Sequence, residues 1–278
     1  MKYYLFNSLA NNGVRPEFLK DLEGKDGICL KDVIGLDYLE FFKSLKEDEE
    51  VVLVGGDGTI NYLVNAIGDY KIQNKLYLRA AGTGNDFLND IKKDHEGEEE
   101  ILLNPYIEHL PTVYVNGMEK KFINGIGYGI DGYCCEVADQ IKEKEPNKKI
   151  DYTGIAIKGL LFHFKPVTAT VTVDGVEETF TKVWLSPSMK GRFYGGGMMV
   201  APAQDRMGDV LSNVVYRASN KFQALIVFPK IFKGEHVKKV KMVKIRTGKE
   251  ITVKFDRPCA LQIDGETVLG VSEYTVKA

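Results

Sequence analysis

Two textures of apolar and polar positions divide this chain near Asn104-Pro105. Before that point, strand-like apolar runs at 2–6, 51–54 and 75–80 alternate with segments of helical period at 16–22, 36–46 and 59–67. Strands separated by helices predict a parallel sheet covered by helices. After it, short runs recur at 112–115, 168–173, 179–185, 211–216, 251–255 and 260–263, broken by Gly, Asn and Asp. That is the texture of an antiparallel sandwich or barrel. A helical insertion at 132–144 and 152–164 interrupts it, with polar Glu145-Pro146-Asn147-Lys148-Lys149 as its turn. The expected fold is therefore α/β plus all-β: a three-layer α/β domain over 1–105 and an antiparallel β-sandwich over 106–278. A return of the final residues to the first domain is left open.

Composition narrows the class. With 278 residues and 44% hydrophobic content, the chain can fill two cores. No run of 18 or more apolar residues occurs, and Met1-Lys2-Tyr3-Tyr4-Leu5-Phe6 is too short for a signal peptide, so the expected compartment is the cytoplasm. Cys29, Cys134, Cys135 and Cys259 have neither zinc-site spacing nor disulfide density and read as reduced packing residues. The net charge of −2 conceals a basic stretch, 221–257, with 11 Lys plus Arg against Glu235, Glu250 and Asp256. It reads either as the solvated face of alternating strands or as a patch for an anionic membrane. The acidic run 96–100 reads as a solvated loop rather than a metal site.

The chemistry concentrates at glycine turns. Val51-Val52-Leu53-Val54 runs into Gly55-Gly56-Asp57-Gly58-Thr59 and then into a helical segment. Strand, glycine turn and helix in that order suit an oligophosphate, which takes peptide N–H groups and the positive end of the helix dipole. A lone carboxylate there would repel phosphate, so Asp57 reads as metal-linked, as a base, or as a helix cap. A second junction repeats the pattern, with Leu76-Tyr77-Leu78-Arg79-Ala80-Ala81 leading into Gly82-Thr83-Gly84-Asn85-Asp86. Both turns are expected along one carboxyl edge, where open α/β sheets bind ligands. Further on, Asp264-Gly265-Glu266 reads either as a type I′ hairpin turn or as a carboxylate pair that orients magnesium or accepts a hydroxyl proton. The run Arg192-Phe193-Tyr194-Gly195-Gly196-Gly197 reads as backbone brought close to something, with Arg192 able to meet phosphate.

Together these blocks resemble the diacylglycerol kinase and sphingosine kinase catalytic-domain family. The resemblance spans nearly the whole chain: Asn7-Ser8, Gly55–Thr59, Gly82–Asp86, Asn124-Gly125-Ile126-Gly127-Tyr128-Gly129-Ile130-Asp131, Tyr194–Pro202 and Asp264-Gly265-Glu266 fall in the family's order. It implies an α/β nucleotide-binding domain and a β-sandwich, using ATP and magnesium to phosphorylate a lipid hydroxyl. Asn7, Gly55, Gly56, Asp57, Gly58, Thr59, Gly82, Thr83 and Asn85 would then hold ATP, and Asp57, Asp264 and Glu266 would serve catalysis. A structural magnesium would rest on Asp209 with the main-chain oxygens of Arg206 and Leu211.

The chain departs from the family pattern at several points. Ser8 stands where proline is usual, and the glycine that commonly follows is displaced to Gly13. Tyr62 replaces a glutamate, Ala80 or Ala81 replaces a proline, and Gly208-Asp209-Val210 replaces Asp-Asp-Gly. The acceptor is expected to be diacylglycerol, with a sphingoid base, a soluble dinucleotide or a catalytically inactive binding homologue as alternatives. The expected partners are a lipid substrate and a membrane met peripherally, without nucleic acid; a homodimer is left open.

Overall fold

A computed structural model describes residues 1–9, 14–81, 85–145 and 148–278. These form two compact units, Met1–Leu110 and Pro111–Ala278.

The first unit is mixed α/β. Strands β1 (Lys2–Phe6), β2 (Ile28–Asp32), β3 (Glu50–Gly55), β4 (Leu76–Ala80) and β5 (Ile101–Leu102) form a sheet in the order β2-β1-β3-β4-β5. The first four run parallel, and β5 is antiparallel to β4. From Val51 to Gly55, β3 is buried throughout, as expected for a parallel strand covered on both faces. Helix α1 (Tyr38–Ser44) starts at Asp37, whose side chain accepts the Glu40 N–H at 3.0 Å. Helix α2 (Asp57–Ile67) buries Ile60, Leu63, Val64 and Ile67, a single face at helical period. Helices α3 (Asp86–Ile91) and α4 (Asn104–Ile107) complete the unit.

Several local expectations shift. The helix expected at 16–22 is a 3-10 turn, Glu17–Leu22, which buries only Leu19, too little apolar surface to hold a longer helix. Strand β2 gave no signal because none of its residues is fully buried. The acidic run is not freely solvated: Glu98 pairs with His95, Glu99 with Arg79, and Glu100 with Lys2 and Tyr4. Burial opposes ionisation of Glu100, but hydrogen bonds from Lys2 and Tyr4 outweigh it and hold its carboxyl below the usual range. The division expected after residue 105 falls inside α4, which remains with the first unit.

The second unit is β-rich. Its strands are β6 (Thr112–Val115), β7 (Met118–Lys121), β8 (Gly125–Tyr128), β9 (Val167–Val173), β10 (Val176–Leu185), β11 (Ser188–Met189), β12 (Phe193–Tyr194), β13 (Met198–Met199), β14 (Leu211–Arg217), β15 (Val243–Gly248), β16 (Glu250–Ile263) and β17 (Glu266–Lys277). The runs expected at 251–255 and 260–263 are one strand, β16, whose register shifts between Lys254 and Cys259, around Pro258. Proline cannot donate to a ladder, so the strand bulges there and changes neighbours. Residues 251–255 pair with β9 and residues 261–263 with β8. Since β8, β11, β14, β10 and β9 pair in succession, β16 closes the ring around a core containing Tyr128, Phe122 and Phe255. The final strand stays here, pairing Lys277 with both Glu250 and Thr112, so the chain end does not return to the first unit. Helices α5 (Ile130–Lys144) and α6 (Tyr152–Lys158) form the expected insertion, although Pro146 and Asn147 of its turn lie outside the described residues. Helix α7 (Lys221–Val227) follows β14. All four cysteines are free thiols.

Candidate active site

In the first unit, strand order locates the ligand edge. The chain passes from β1 outward to β2, then crosses to β3 on the other side of β1. A crevice opens beyond the carboxyl ends of strands at such a reversal. Phe6 pairs with Val54 and Gly55 with Ala80, so Asn7, Gly55 and Ala81 come to one edge. Gly82 and Thr83, also expected in this site, lie outside the described residues, as does Gly13.

The glycines of the first turn are not there for left-handed backbone, since none of Gly55, Gly56 and Gly58 has positive φ. Gly55 is required because Thr59 folds over it: a Cβ would stand 2.2 Å from Thr59 Oγ1 and 2.6 Å from Thr59 Cβ. Around Gly58 a Cβ would meet nothing within 4 Å, leaving the first turn of α2 open to an approaching group. Gly56 caps α2 without a side-chain bond.

Asp57 does cap a helix, but not its own. Its Oδ2 accepts the Asp86 N–H at 2.8 Å and its Oδ1 the Phe87 N–H at 3.1 Å. The carboxylate of the first glycine turn thus fixes the helix after the second. Asn85 occupies the N-cap position of α3 without capping it, consistent with Asp57 having taken that role.

Both departures from proline make a hydrogen bond that proline could not. Ser8 N–H donates to Asp32 Oδ1 at 3.3 Å, and Ala81 N–H donates to Gly55 O at 3.0 Å. Asp32, which sequence reasoning missed, also accepts the Ile34 N–H at 3.1 Å. Desolvation works against its ionisation, yet the Ser8 hydroxyl and these backbone donors prevail and keep its carboxyl below the usual range. Asn7 is exposed, with its Oδ1 bound to the Leu9 N–H at 2.8 Å. Tyr62 is also exposed and meets the Tyr38 ring edge-on at 5.8 Å. A cavity of about 480 Å³ lies beside the end of β4, lined by Val14, Arg15, Pro16, Phe18, Ala80 and Ala81 among others. Its size suits a nucleotide-sized ligand.

In the second unit, Asp264-Gly265 is the tight turn between β16 and β17, with φ of 46° and 96°. The hairpin reading holds, and the aspartate does more. Its carboxylate accepts the N–H groups of Ile123 at 2.6 Å, Asn124 at 2.9 Å and Gly125 at 3.0 Å. Arg206, buried, donates to Ile123 O at 2.5 Å and to Asn124 Oδ1 at 2.6 Å. Asp264, the segment 123–125 and Arg206 therefore form one polar cluster. Glu266 differs: it is exposed and pairs with Lys120 of β7.

The loop expected to hold a structural magnesium is braced by side chains in this structure. Asp209 is exposed and paired with Lys249 at 2.7 Å, which holds its carboxyl below the usual range. Carbonyls neighbouring the expected Arg206 and Leu211 oxygens are engaged from within: Lys190 Nζ donates to Gly208 O at 2.9 Å, and Gln204 Nε2 to Asp205 O at 3.0 Å and Val210 O at 2.9 Å. Lys190 is buried, and desolvation together with nearby Arg206 lowers its proton affinity. Leu211 opens β14 and pairs with Gly248.

The triple glycine has a conformational cause. Gly195, Gly196 and Gly197 have φ of 64°, 81° and 102° at the end of the β12–β13 hairpin. Next to it, Tyr194 OH donates to Asp131 Oδ2 at 2.7 Å. Burial raises the Asp131 carboxyl to about 6, partly offset by this bond and by the Gly132 N–H.

The sequence has relatives that cover both units. Residues 124–276 match the model of the YegS C-terminal NAD kinase beta sandwich-like domain, and residues 33–113 match the diacylglycerol kinase catalytic domain. A diacylglycerol kinase of Mycobacterium tuberculosis is 26% identical over 219 residues, covering 77% of this chain and 68% of that protein. A crystal structure of a diacylglycerol kinase from Bacillus anthracis str. Sterne matches in fold, with a TM-score of 0.67 at 18% identity over 99% of this chain and 93% of that one.

Proposed function

Since the chain belongs to the diacylglycerol kinase family of phosphotransferases with an alcohol acceptor, we propose that it transfers the γ-phosphoryl group of ATP to a lipid hydroxyl, with diacylglycerol as acceptor. The observation that carries this reading is the edge made by Asn7, Gly55–Thr59 and Ala81 at the β1/β3 reversal, where Gly58 leaves the start of α2 open. Asn7 and the glycine turns hold the triphosphate, and magnesium arriving with ATP neutralises phosphate charge.

In the transfer, the acceptor oxygen bonds to the γ-phosphorus as the bond from that phosphorus to the ADP oxygen breaks. The hydroxyl proton passes to a carboxylate, a role this reading gives to Glu266, which is exposed and paired with Lys120. Asp57 and Asp264 act by position, each fixing a neighbouring block through backbone N–H groups. Among the described residues no helix is long and apolar enough to cross a membrane, so the bilayer-borne acceptor is met from outside.

The test is a mass-spectrometric search for lipids that gain one phosphate when the purified protein is given magnesium and ATP. Phosphatidic acid formed from diacylglycerol is the expected product. Phosphorylation of a sphingoid base alone would move the acceptor, phosphorylation of a dinucleotide alone would replace the reading, and no phosphorylated product would overturn it. Glu266→Gln should lower turnover at least about 100-fold with an unchanged melting temperature; equal turnover would remove Glu266 from the proton step.

A further inference from the structure

Three large apolar side chains stand exposed where two segments of the second unit meet. Phe162 is 73% exposed, Phe222 65% and Ile226 70%. Phe162 lies in a single π-helical turn, Gly159–His163, which buries Gly159 and Leu160 and turns the phenyl ring outward. Phe222 and Ile226 are four residues apart on α7, so they share its outer face, while Ala224 and Val227 bury the inner one. The two elements are joined by Lys221, whose Nζ donates to Leu161 O at 3.1 Å and lies 5.8 Å from the Phe162 ring centroid. A helix apolar on both faces normally has both faces covered.

Charge identifies the cover. Residues 152–165 and 217–233 carry Lys158, Lys165, Arg217, Lys221, Lys230 and Lys233 and no Asp or Glu. Among the described residues, none of these six forms an ion pair. Toward the end of the basic stretch the cations are paired: Arg246 with Glu178, Lys249 with Asp209 and Lys254 with Glu273, on or beside the strands β15 and β16. Lys238, Lys239, Lys241 and Lys244, which lie between, also form no ion pair among the described residues, and of the unpaired cations Lys221 lies against the exposed Phe162 ring.

We propose that Phe162, Phe222 and Ile226, with Lys221 between the two elements and Lys158, Lys165, Lys230 and Lys233 on the same acid-free segments, form the surface by which the protein sits on an anionic bilayer. The side chains enter the boundary between headgroups and acyl chains, and the lysines remain at the phosphates. This deepens the lipid-kinase reading, from which it takes its purpose, by naming the face that meets the acceptor's membrane. Its geometry does not depend on that reading.

The test is sedimentation with phosphatidylcholine vesicles, with and without phosphatidylglycerol and free of any acceptor. The full-length protein should pellet with the anionic vesicles and be released by salt. The triple variant Phe162→Ser, Phe222→Ser, Ile226→Ser should bind at least about tenfold more weakly. Val176→Ser is the control: Val176 is exposed at the far end of β10 from Val183, which pairs with Arg217 just before α7, and its loss should leave binding unchanged. Should the triple variant misfold, Lys158→Gln with Lys221→Gln and Lys230→Gln should lower the anionic preference by at least about tenfold instead.

Phosphorylation of a short-chain, water-soluble diacylglycerol is measured in parallel. Vesicle binding without phosphorylation would fail the enzymatic reading and leave the surface standing, whereas phosphorylation without vesicle binding would do the reverse. Equal binding by wild type and triple variant would overturn the proposal. So would a triple variant that only dissociates a dimer, which would assign the patch to a second copy of this chain.

Discussion

The two glycine–aspartate turns, Gly55–Thr59 in the first unit and Asp264-Gly265 in the second, look alike in sequence and are built on different principles. In each, the aspartate binds backbone N–H groups of another block: Asp57 takes those of Asp86 and Phe87, and Asp264 those of Ile123, Asn124 and Gly125. The glycines diverge. Gly265 serves a left-handed hairpin turn at φ 96°, whereas Gly55 makes room for Thr59 and Gly58 leaves a helix start uncovered. A glycine dictated by backbone angle shapes the protein itself; one that leaves room beside a helix N-terminus prepares a place for something else.

The comparison breaks first, and hardest, at the aspartates. Asp264→Ala should lose about 2–4 kcal/mol in chemical denaturation, because the N–H groups of Ile123, Asn124 and Gly125 lose their acceptor and the segment that Arg206 also binds is loosened. A loss no larger than that of an exposed surface substitution would show that water replaces the carboxylate at no cost. Gly55→Ala comes next, at about 1–3 kcal/mol. The conflict is with Thr59 Cβ as well as Oγ1, so no rotamer relieves it and the turn must shift. Retained ATP affinity in that variant would detach the turn's shape from phosphate binding.

A third carboxylate sharpens the contrast by being buried rather than well provided with donors. Burial raises Asp131 from an ordinary value of 3.8 to about 6, so the folded state prefers it protonated. The stability this group supplies is complete below about pH 4 and fades as pH rises through about 6. Asp131→Asn, which has no charge to bury, should therefore exceed wild type above pH 6 by up to about 3 kcal/mol, and the gap should close toward pH 4. Melting curves across that range check it, and a gap independent of pH would show that the Tyr194 bond outweighs burial. The smallest change in stability belongs to Gly58→Ala, which should be neutral or gain up to about 1 kcal/mol in helix propensity. Its KM for ATP should nonetheless rise at least about tenfold, because a methyl group would occupy the open face. An unchanged KM would make Gly58 an ordinary helix residue.

Much of the fold was legible because it is written locally. The strand 2–6, the Gly55 turn with its helix, and the hairpin at Asp264 each follow from residue type and period. Strand β2 was missed because its partial burial leaves no clean alternation, and β16 was read as two strands because Pro258 marks a bulge that reads like a break. Of the candidate site, the glycine blocks were found, while Asp32, Arg206 and Lys190 were not assigned side-chain roles, since nothing adjacent in sequence announces their partners.

By itself, the sequence determined the order strand, glycine turn, helix, its repetition along one edge, and the change from α/β to antiparallel texture. These depend on neighbours a few residues apart. Tertiary structure alone decided what the carboxylates and cations serve. Asp57 reaches across 29 residues to Asp86, and Asp264 across 140 to Asn124. Lys190 braces the Gly208 carbonyl of the loop where a metal was expected, Asp209 of that loop pairs with Lys249, and Lys221 joins the exposed Phe162 to α7. A side chain's partner is set by which distant segments the fold packs together, and burial then fixes the cost of leaving that partner out.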